Sequence, residues 1–284
     1  MTWLSKLWKE ETPPASEPVG EPQASLASDP GCVRAKNEDS ASIVRAGRSA
    51  HGDRGLLLVV ADGMGGHEAG EVASQTAVEV IEHAYREARG TPGEALAAAF
   101  QQAHKQILKM STGNAAMAGM GTTCTALAIV GGRAWAAHVG DSRLYLVRGG
   151  AIYQVSEDQT QCMEMVRQGL LSMEEAERHA DRNVLAHAMG TRPELAAVIW
   201  PEPMPVRPGD RFVLCSDGLY DLVSSAEILQ VVRDADAAES CEKLVRMARQ
   251  RGGYDNITVA VAAIPDGTEA PEAPRATREY ELLP

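Results

Sequence analysis

Two segments of the chain end alike. Leu56-Leu57-Leu58-Val59-Val60-Ala61 runs into Asp62-Gly63, and Arg211-Phe212-Val213-Leu214-Cys215-Ser216 runs into Asp217-Gly218. Each is a short apolar run that reads as a buried strand, closed by a carboxylate and then by glycine. A buried strand holds its terminal side chain rigidly, and glycine lets the backbone come close to whatever the carboxylate binds. A third acid, in Tyr254-Asp255-Asn256, opens the strand-like run 257–262. One Asp-Gly pair alone reads as a turn. Three carboxylates at strand ends point to an all-oxygen site for hard divalent cations.

The elements that must position these acids are legible from period and punctuation. Residues 123–130 meet 134–139 across Gly131-Gly132-Arg133, and 142–147 meet 151–155 across Gly149-Gly150. Glycine turns between apolar strands mean hairpins. The expectation is a four-stranded antiparallel meander over 123–155, with Asp141 at its middle turn. Ala73, Ala77, Val80, Ile81 and Ala84 recur at helical spacing, as do Leu96, Ala99, Phe100, Ala103 and Ile107. Thr91-Pro92-Gly93-Glu94 is a helix start, with a capping residue, a first-turn proline and a returning glutamate. Ser172 with Glu175, and Ser224 with Glu227, form two more capping boxes, and a last helix over 237–250 stops near Gly252-Gly253. Antiparallel strands with helices before and after predict sheets at the centre and helices outside.

Composition bounds the function. Of 284 residues, 44% are hydrophobic and 23% charged, ordinary for a globular protein. The net charge of -12 argues against nucleic acid and anionic membranes as partners. An acidic protein still binds phosphate compounds where cations stand between the two. No apolar run approaches the ~18 residues of a membrane span, and no secretory signal opens the chain. The five cysteines are scattered, which reads as reduced residues of a cytoplasmic protein. Residues 1–25 read as an N-terminal segment and a proline- and glutamate-rich linker, 26–264 as one folded domain, and 265–284 as a disordered acidic tail. Within the first segment Trp3, Leu4, Leu7 and Trp8 fall on one side of a helical wheel. A disordered tail, a docking helix for a partner protein and a membrane-surface helix all remain open for it.

Six segments carry a family resemblance. They are Gly31-Cys32-Val33-Arg34-Ala35-Lys36-Asn37-Glu38-Asp39, Ala61-Asp62-Gly63-Met64-Gly65-Gly66-His67, Gly121-Thr122-Thr123, Val139-Gly140-Asp141-Ser142-Arg143, Cys215-Ser216-Asp217-Gly218-Leu219 and Asp255-Asn256-Ile257-Thr258. In this order and spacing they resemble the metal-dependent protein phosphatases of the 2C type, in their bacterial branch. The resemblance implies an α+β fold of two stacked antiparallel sheets flanked by helices on both faces. It implies hydrolysis of phosphoserine and phosphothreonine on proteins, with two Mn2+ or Mg2+ ions activating a bridging water and no phospho-enzyme. On that footing Asp62 bridges the ions, and the Gly63 carbonyl, Asp217 and Asp255 complete the ligands. Glu38 and Asp39 then hold metal-bound waters, Asn256 orients Asp255, and Arg34 grips the phosphate. The alternative for Arg34 is a surface salt bridge with Glu38.

Asp141 matches the position of a third, weaker ion, with a plain Gly-Asp turn as the alternative. Met64 stands where animal members carry histidine, and packing within the loop is its expected role. His67, a little further on, is a histidine for which no reach to the leaving group can be read. Residues 156–190 resemble a mobile flap, or form a helix pair that merely covers the sheet. The implied partners are phosphorylated proteins, with a cognate Ser/Thr kinase and its targets among them. Two other functions keep the same fold: a pseudophosphatase that binds phosphoproteins without hydrolysis, and a Ca2+-binding protein.

Overall fold

Successive side chains of a strand point to opposite faces, and here both faces of the central strands are apolar, which decides the layering. The computed structural model describes residues 20–49, 52–65 and 69–265. The chain forms β1 (Gln23–Asp29), β2 (Asp39–Arg45), β3 (Arg48–Ser49), β4 (Gly52–Asp53) and β5 (Leu56–Met64), then helices α1 (Ala69–Glu87) and α2 (Pro92–Gly113). Next come β6 (Gly121–Thr122), β7 (Cys124–Val130), β8 (Arg133–Val139), β9 (Arg143–Arg148) and β10 (Ala151–Gln154). Short helices α3 (Gln161–Arg167) and α4 (Met173–Glu177) precede β11 (Val198–Ile199), β12 (Met204–Pro205) and β13 (Arg211–Cys215). The chain closes with α5 (Asp217–Tyr220), α6 (Ser225–Asp234), α7 (Ala237–Gln250) and β14 (Ile257–Ala263).

One sheet has the order β1-β14-β13-β9-β10, and the other runs β11-β8-β7-β5-β2, with β12 paired to β8 and β6 to β5. Leu57, Val59 and Ala61 of β5 face α1 and α2, where they meet Ala77, Ile81, Leu96 and Phe100. Leu56, Leu58 and Val60 point the other way, into the core between the sheets, against Leu144, Phe212 and Ala260. Val213, Val259 and Val261 face outward onto Leu244 and Ala248 of α7. The result is the layered α-β-β-α sandwich that the resemblance implies. Thr91 and Ser172 cap their helices in full capping boxes, as expected.

The meander does not form. β7 and β8 pair with each other in one sheet, while β9 and β10 pair in the other, where β9 also lies against β13. Gly140-Asp141-Ser142 therefore carries the chain across the sandwich rather than turning it back. The cause is two-sided burial: Ala134 and Ala136 of β8 meet Leu144 and Leu146 of β9 face to face in one core. Gly140 sits at φ +101, and a Cβ there would lie 2.7 Å from Thr123 Cβ, so the crossing demands glycine.

β1 begins at Gln23, ahead of the boundary expected at 26, and pairs along its whole length with β14, Gln23 opposite Ala263 and Asp29 opposite Ile257. Gly20 and Pro265 consequently touch: a Cβ on Gly20 would stand 3.2 Å from Pro265 Cβ. The Trp3–Trp8 stretch lies outside the described residues.

At the end of the sheet away from the Asp29–Ile257 end, Arg148 meets Asp210 in two hydrogen bonds of 2.8 and 2.6 Å. Asp210 is only 1% exposed. Removing one partner of such a pair strands the other charge. Arg148→Ala should cost about 3–5 kcal/mol, read as a lowered midpoint in urea denaturation.

Candidate active site

The strand-end acids converge on one end of the sandwich, and backbone and hydroxyl contacts hold them there. Asp62, half-buried near the end of β5, donates its N–H to Thr123 Oγ1 at 2.9 Å. Its carbonyl accepts from Thr123 N at 2.9 Å and from Thr122 Oγ1 at 2.8 Å. Directly across the β2–β5 ladder stands Asp39, which is buried and accepts from Ser216 Oγ at 2.7 Å. That Ser216 oxygen also accepts from Thr258 N at 3.0 Å. One serine thus ties β13 and β14 of one sheet to β2 of the other, and Asp217 follows it as the first residue of α5.

Both Asp-Gly glycines are needed here, but for a reason other than room for a ligand. A Cβ on Gly63 would stand 2.1 Å from Gly70 O and 2.6 Å from Glu38 O. A Cβ on Gly218 would stand 2.0 Å from Asn256 O. Each glycine lets a neighbouring stretch of backbone close against the acid-bearing turn. Asn256 also departs from its expected role. Its side chain accepts from Glu38 N at 2.8 Å and donates to Pro30 O and Lys36 O at 3.0 and 2.9 Å. It staples down the loop carrying Arg34 and Glu38, and only its backbone N–H reaches Asp255 Oδ1, at 2.8 Å.

Arg34 pairs with Asp255, Nη2 to Oδ2 at 2.6 Å, and not with Glu38. Both members are partly exposed, and the Asp255 contact, ahead of the loss of solvent, raises the arginine's pKa. Glu38 is raised by burial first, with Arg34 opposing. Asp141 is buried, 4% exposed, on the crossing between sheets, so it is not an ordinary surface turn. Next to it Ser142 Oγ meets Thr123 Oγ1 at 2.6 Å, which links the Asp141 crossing to the Asp62 strand end. Met64 is not in a loop as expected: it is the last residue of β5 and pairs with Gly121 of β6, with its Cε close to that glycine. His67 lies outside the described residues.

The sequence gives no distinct signal for the hydroxyls Thr122, Thr123, Ser142, Ser216 and Thr258, although each adjoins or lies close to an acid. Nor does it single out Arg143, which makes a two-oxygen contact with Asp158 and lies 3.7 Å from the ring centre of Tyr220. Arg143 thereby joins the crossing, α5 and the base of segment 156–190. That segment holds the helices α3 and α4, and Arg182 and Asn183 fasten it to Asp221 Oδ2 at 2.7 and 3.0 Å.

Charge explains what the cluster is for. Burial and then the neighbouring carboxylates Asp39 and Asp217 push Asp62 well above the usual range. Asp39 rises to about 6, by burial above all. Asp217 rises to about 7, by burial and then by Asp255 and Asp39. Asp141 is well raised by burial and Asp217. Asp39 Oδ1 and Asp217 Oδ1 are buried without a hydrogen-bond partner among the described residues. Among those residues no group of three or more histidine, cysteine, aspartate or glutamate side chains is already arranged to hold a metal ion. Oxygen donors of one sign with orphaned lone pairs nevertheless suit hard divalent cations.

A stability profile follows. A carboxylate whose folded pKa is raised binds more protons folded than unfolded, so stability rises as pH falls through the folded value. With chelator present, the melting temperature should climb from pH 8 to about pH 6, through the Asp217 and Asp39 values. His138, which burial keeps neutral, opposes this only as pH drops below its ordinary ~6.5. Mn2+ should stabilise more at pH 8 than at pH 6. A flat profile by differential scanning fluorimetry would mean the acids do not share one field.

Comparison with known proteins bears on the same site. A family model described as protein phosphatase 2C matches residues 35–261. A serine/threonine protein phosphatase of Mycobacterium tuberculosis, PstP, is 40% identical over 242 residues, covering 84% of this chain and 44% of its own length. The chain thus spans less than half of that relative. The protein phosphatase PhpP of Streptococcus pneumoniae is 35% identical over 252 residues, covering 85% of this chain and 97% of the relative. The solved catalytic domain of PstP in complex with two manganese ions superposes with a TM-score of 0.74 at 37% identity, covering 86% of this chain and 99% of that one.

Proposed function

The chain belongs to the protein phosphatase 2C family, and from that premise we propose that it hydrolyses phosphoserine and phosphothreonine esters on proteins in a metal-dependent way. The observation that carries this reading is the gathering of Asp39, Asp62 and Asp217, from β2, β5 and α5, into one repelling cluster. Asp62, Asp217, Asp255 and the Gly63 carbonyl are the residues that would hold two Mn2+ or Mg2+ ions, with Glu38 and Asp39 behind them and Asp141 toward a third. Such ions, when bound, neutralise the phosphate and lower the pKa of the attacking water. The chain's own part is placement. Thr122 and Thr123 hold the Asp62 peptide, Ser216 holds Asp39, and Asn256 holds the loop of Glu38 and Arg34.

Arg34 has a planar fork suited to two phosphate oxygens. To use it on substrate, Arg34 must exchange its contact with Asp255. Arg34→Ala should therefore raise KM for a phosphothreonine peptide about tenfold or more, with a smaller change in kcat. Unchanged steady-state constants would leave Arg34 as a partner of Asp255 alone.

The substrates we infer are phosphoproteins, a cognate Ser/Thr kinase and its targets among them. The cytoplasm is the inferred compartment: the cysteines are free, and no helix of the described residues is long and apolar enough to cross a membrane. Mn2+-dependent release of phosphate from a phosphothreonine peptide tests the reading. Binding of the peptide without release would make the chain a pseudophosphatase. Binding of Ca2+ alone would make it a calcium protein.

A further inference from the structure

The loop of Arg34 and the loop of Asp255 run side by side. Cys32 N donates to Gly253 O at 2.7 Å, and the Arg34–Asp255 pair closes the next step at 2.6 Å. The residues beside that pair are Val33 and Tyr254, each 65% exposed. Cys32, exposed as well, lies against Gly253, whose added Cβ would stand 3.1 Å from its sulfur. A chain of net charge -12 therefore presents two exposed uncharged side chains, Val33 and Tyr254, beside the Arg34–Asp255 pair.

Tyr254 is seated rather than loose. Gly252 has φ +121, and a Cβ there would lie 2.4 Å from Tyr254 Cζ. The ring thus rests on the bare backbone of Gly252, in a turn that Gly253 continues at φ +49. A ring fixed on one side and open on the other loses little freedom when a partner covers it, which is the property of aromatic anchors in interfaces.

We propose that Tyr254, with Val33, forms a subsite that reads the residue next to the phosphorylated one, and that it favours an apolar or aromatic side chain there. The inference rests on the phosphatase reading above, because it takes Arg34 as the point where the phosphate is held. Consecutive Cα atoms are about 3.8 Å apart. A substrate residue adjoining one held at Arg34 is one such step away, as Val33 and Tyr254 are one step from Arg34 and Asp255 along their own loops. Apolar contact, rather than charge, is what these two side chains offer.

The test compares phosphothreonine peptides carrying leucine or phenylalanine on either side of the phosphothreonine with peptides carrying glycine or aspartate there, using the full chain with Mn2+. The wild type should favour the apolar peptides in kcat/KM by about three- to tenfold, mostly through KM. Tyr254→Ala should bring that ratio close to one, and Tyr254→Phe should keep it. Thermal melts with and without Mn2+ check that both variants fold and load metal. A wild type with no preference, or a Tyr254→Ala variant that keeps it, overturns the subsite while leaving the phosphatase reading intact. A wild type that releases phosphate from none of the peptides overturns both.

Discussion

Asp217→Asn should abolish most turnover and yet leave the metal-free protein at least as stable as before. The substitution keeps the shape and deletes one charge from a site where burial and then Asp255 and Asp39 already hold the carboxylate up to about 7. In chelator at pH 8, where Asp217 is largely ionised in the wild type, the variant escapes that repulsion, and its melting temperature should match or exceed the wild-type value. With Mn2+ added, the order should reverse, because the variant lacks a ligand charge and gains less from the cation. Phosphate release should fall by about two orders of magnitude or more. Asp62→Asn should behave alike, since Asp39, Asp217 and Asp141 all raise Asp62. A variant that keeps over about a tenth of the rate at saturating Mn2+ would mean that the ions sit elsewhere. A variant destabilised in chelator would mean that the acid serves the fold first.

The second large effect comes from one methyl group. In Gly218→Ala the new Cβ falls 2.0 Å from Asn256 O, a backbone atom that cannot swing aside. Asn256 in turn holds Glu38 N, Pro30 O and Lys36 O. Relief of the clash must displace either Asp217 or the strand end that carries Asp255 and the Arg34 loop. Overpacking of this kind costs about 1–3 kcal/mol, and activity should fall more steeply than stability, by about tenfold or more, because acids from both elements lose register together. Gly113→Ala is the control: nothing lies within 4 Å of its added Cβ, and it ends helix α2. It should be neutral or mildly stabilising. Equal activity in both alanine variants would show that the turn at Gly218 has slack.

Much of this was legible because the signals are local. A strand that buries both faces is a continuous apolar run, and a carboxylate at its end is visible in six or seven letters. Capping boxes at Thr91 and Ser172 are equally local, and they hold. What failed was long-range. The turn at Gly140-Asp141 looks like a hairpin turn, and only the facing of Ala136 against Leu144 across the inter-sheet core shows that the chain changes sheets there. Arg34 has a plausible partner four residues away in Glu38, yet it pairs with Asp255, whose neighbours in sequence give no sign of it. Asn256 was expected to serve the adjoining acid, and it serves a loop more than 200 residues away. The hydroxyls Thr123 and Ser216 carry no visible role in the sequence because serine and threonine beside an acid are common in turns. Only the lattice of bonds around them reveals that they fix the carboxylates.

The pairing of β1 with β14 has a bearing on engineering. Gly20 and Pro265 meet at one corner, while the carboxylates lie toward the Asp29–Ile257 end of the same ladder, about 20 Å away at 3.3 Å per residue. In outline the domain is a ring with a single seam, and the seam is remote from the mouth. A short peptide bridge could close it, and the ring could be reopened at the hairpin tip beside the exposed Gly131 to give a circular permutant with every strand pairing retained. By the same geometry, a reporter, bead or second enzyme tethered at the seam would leave the approach to the acids clear.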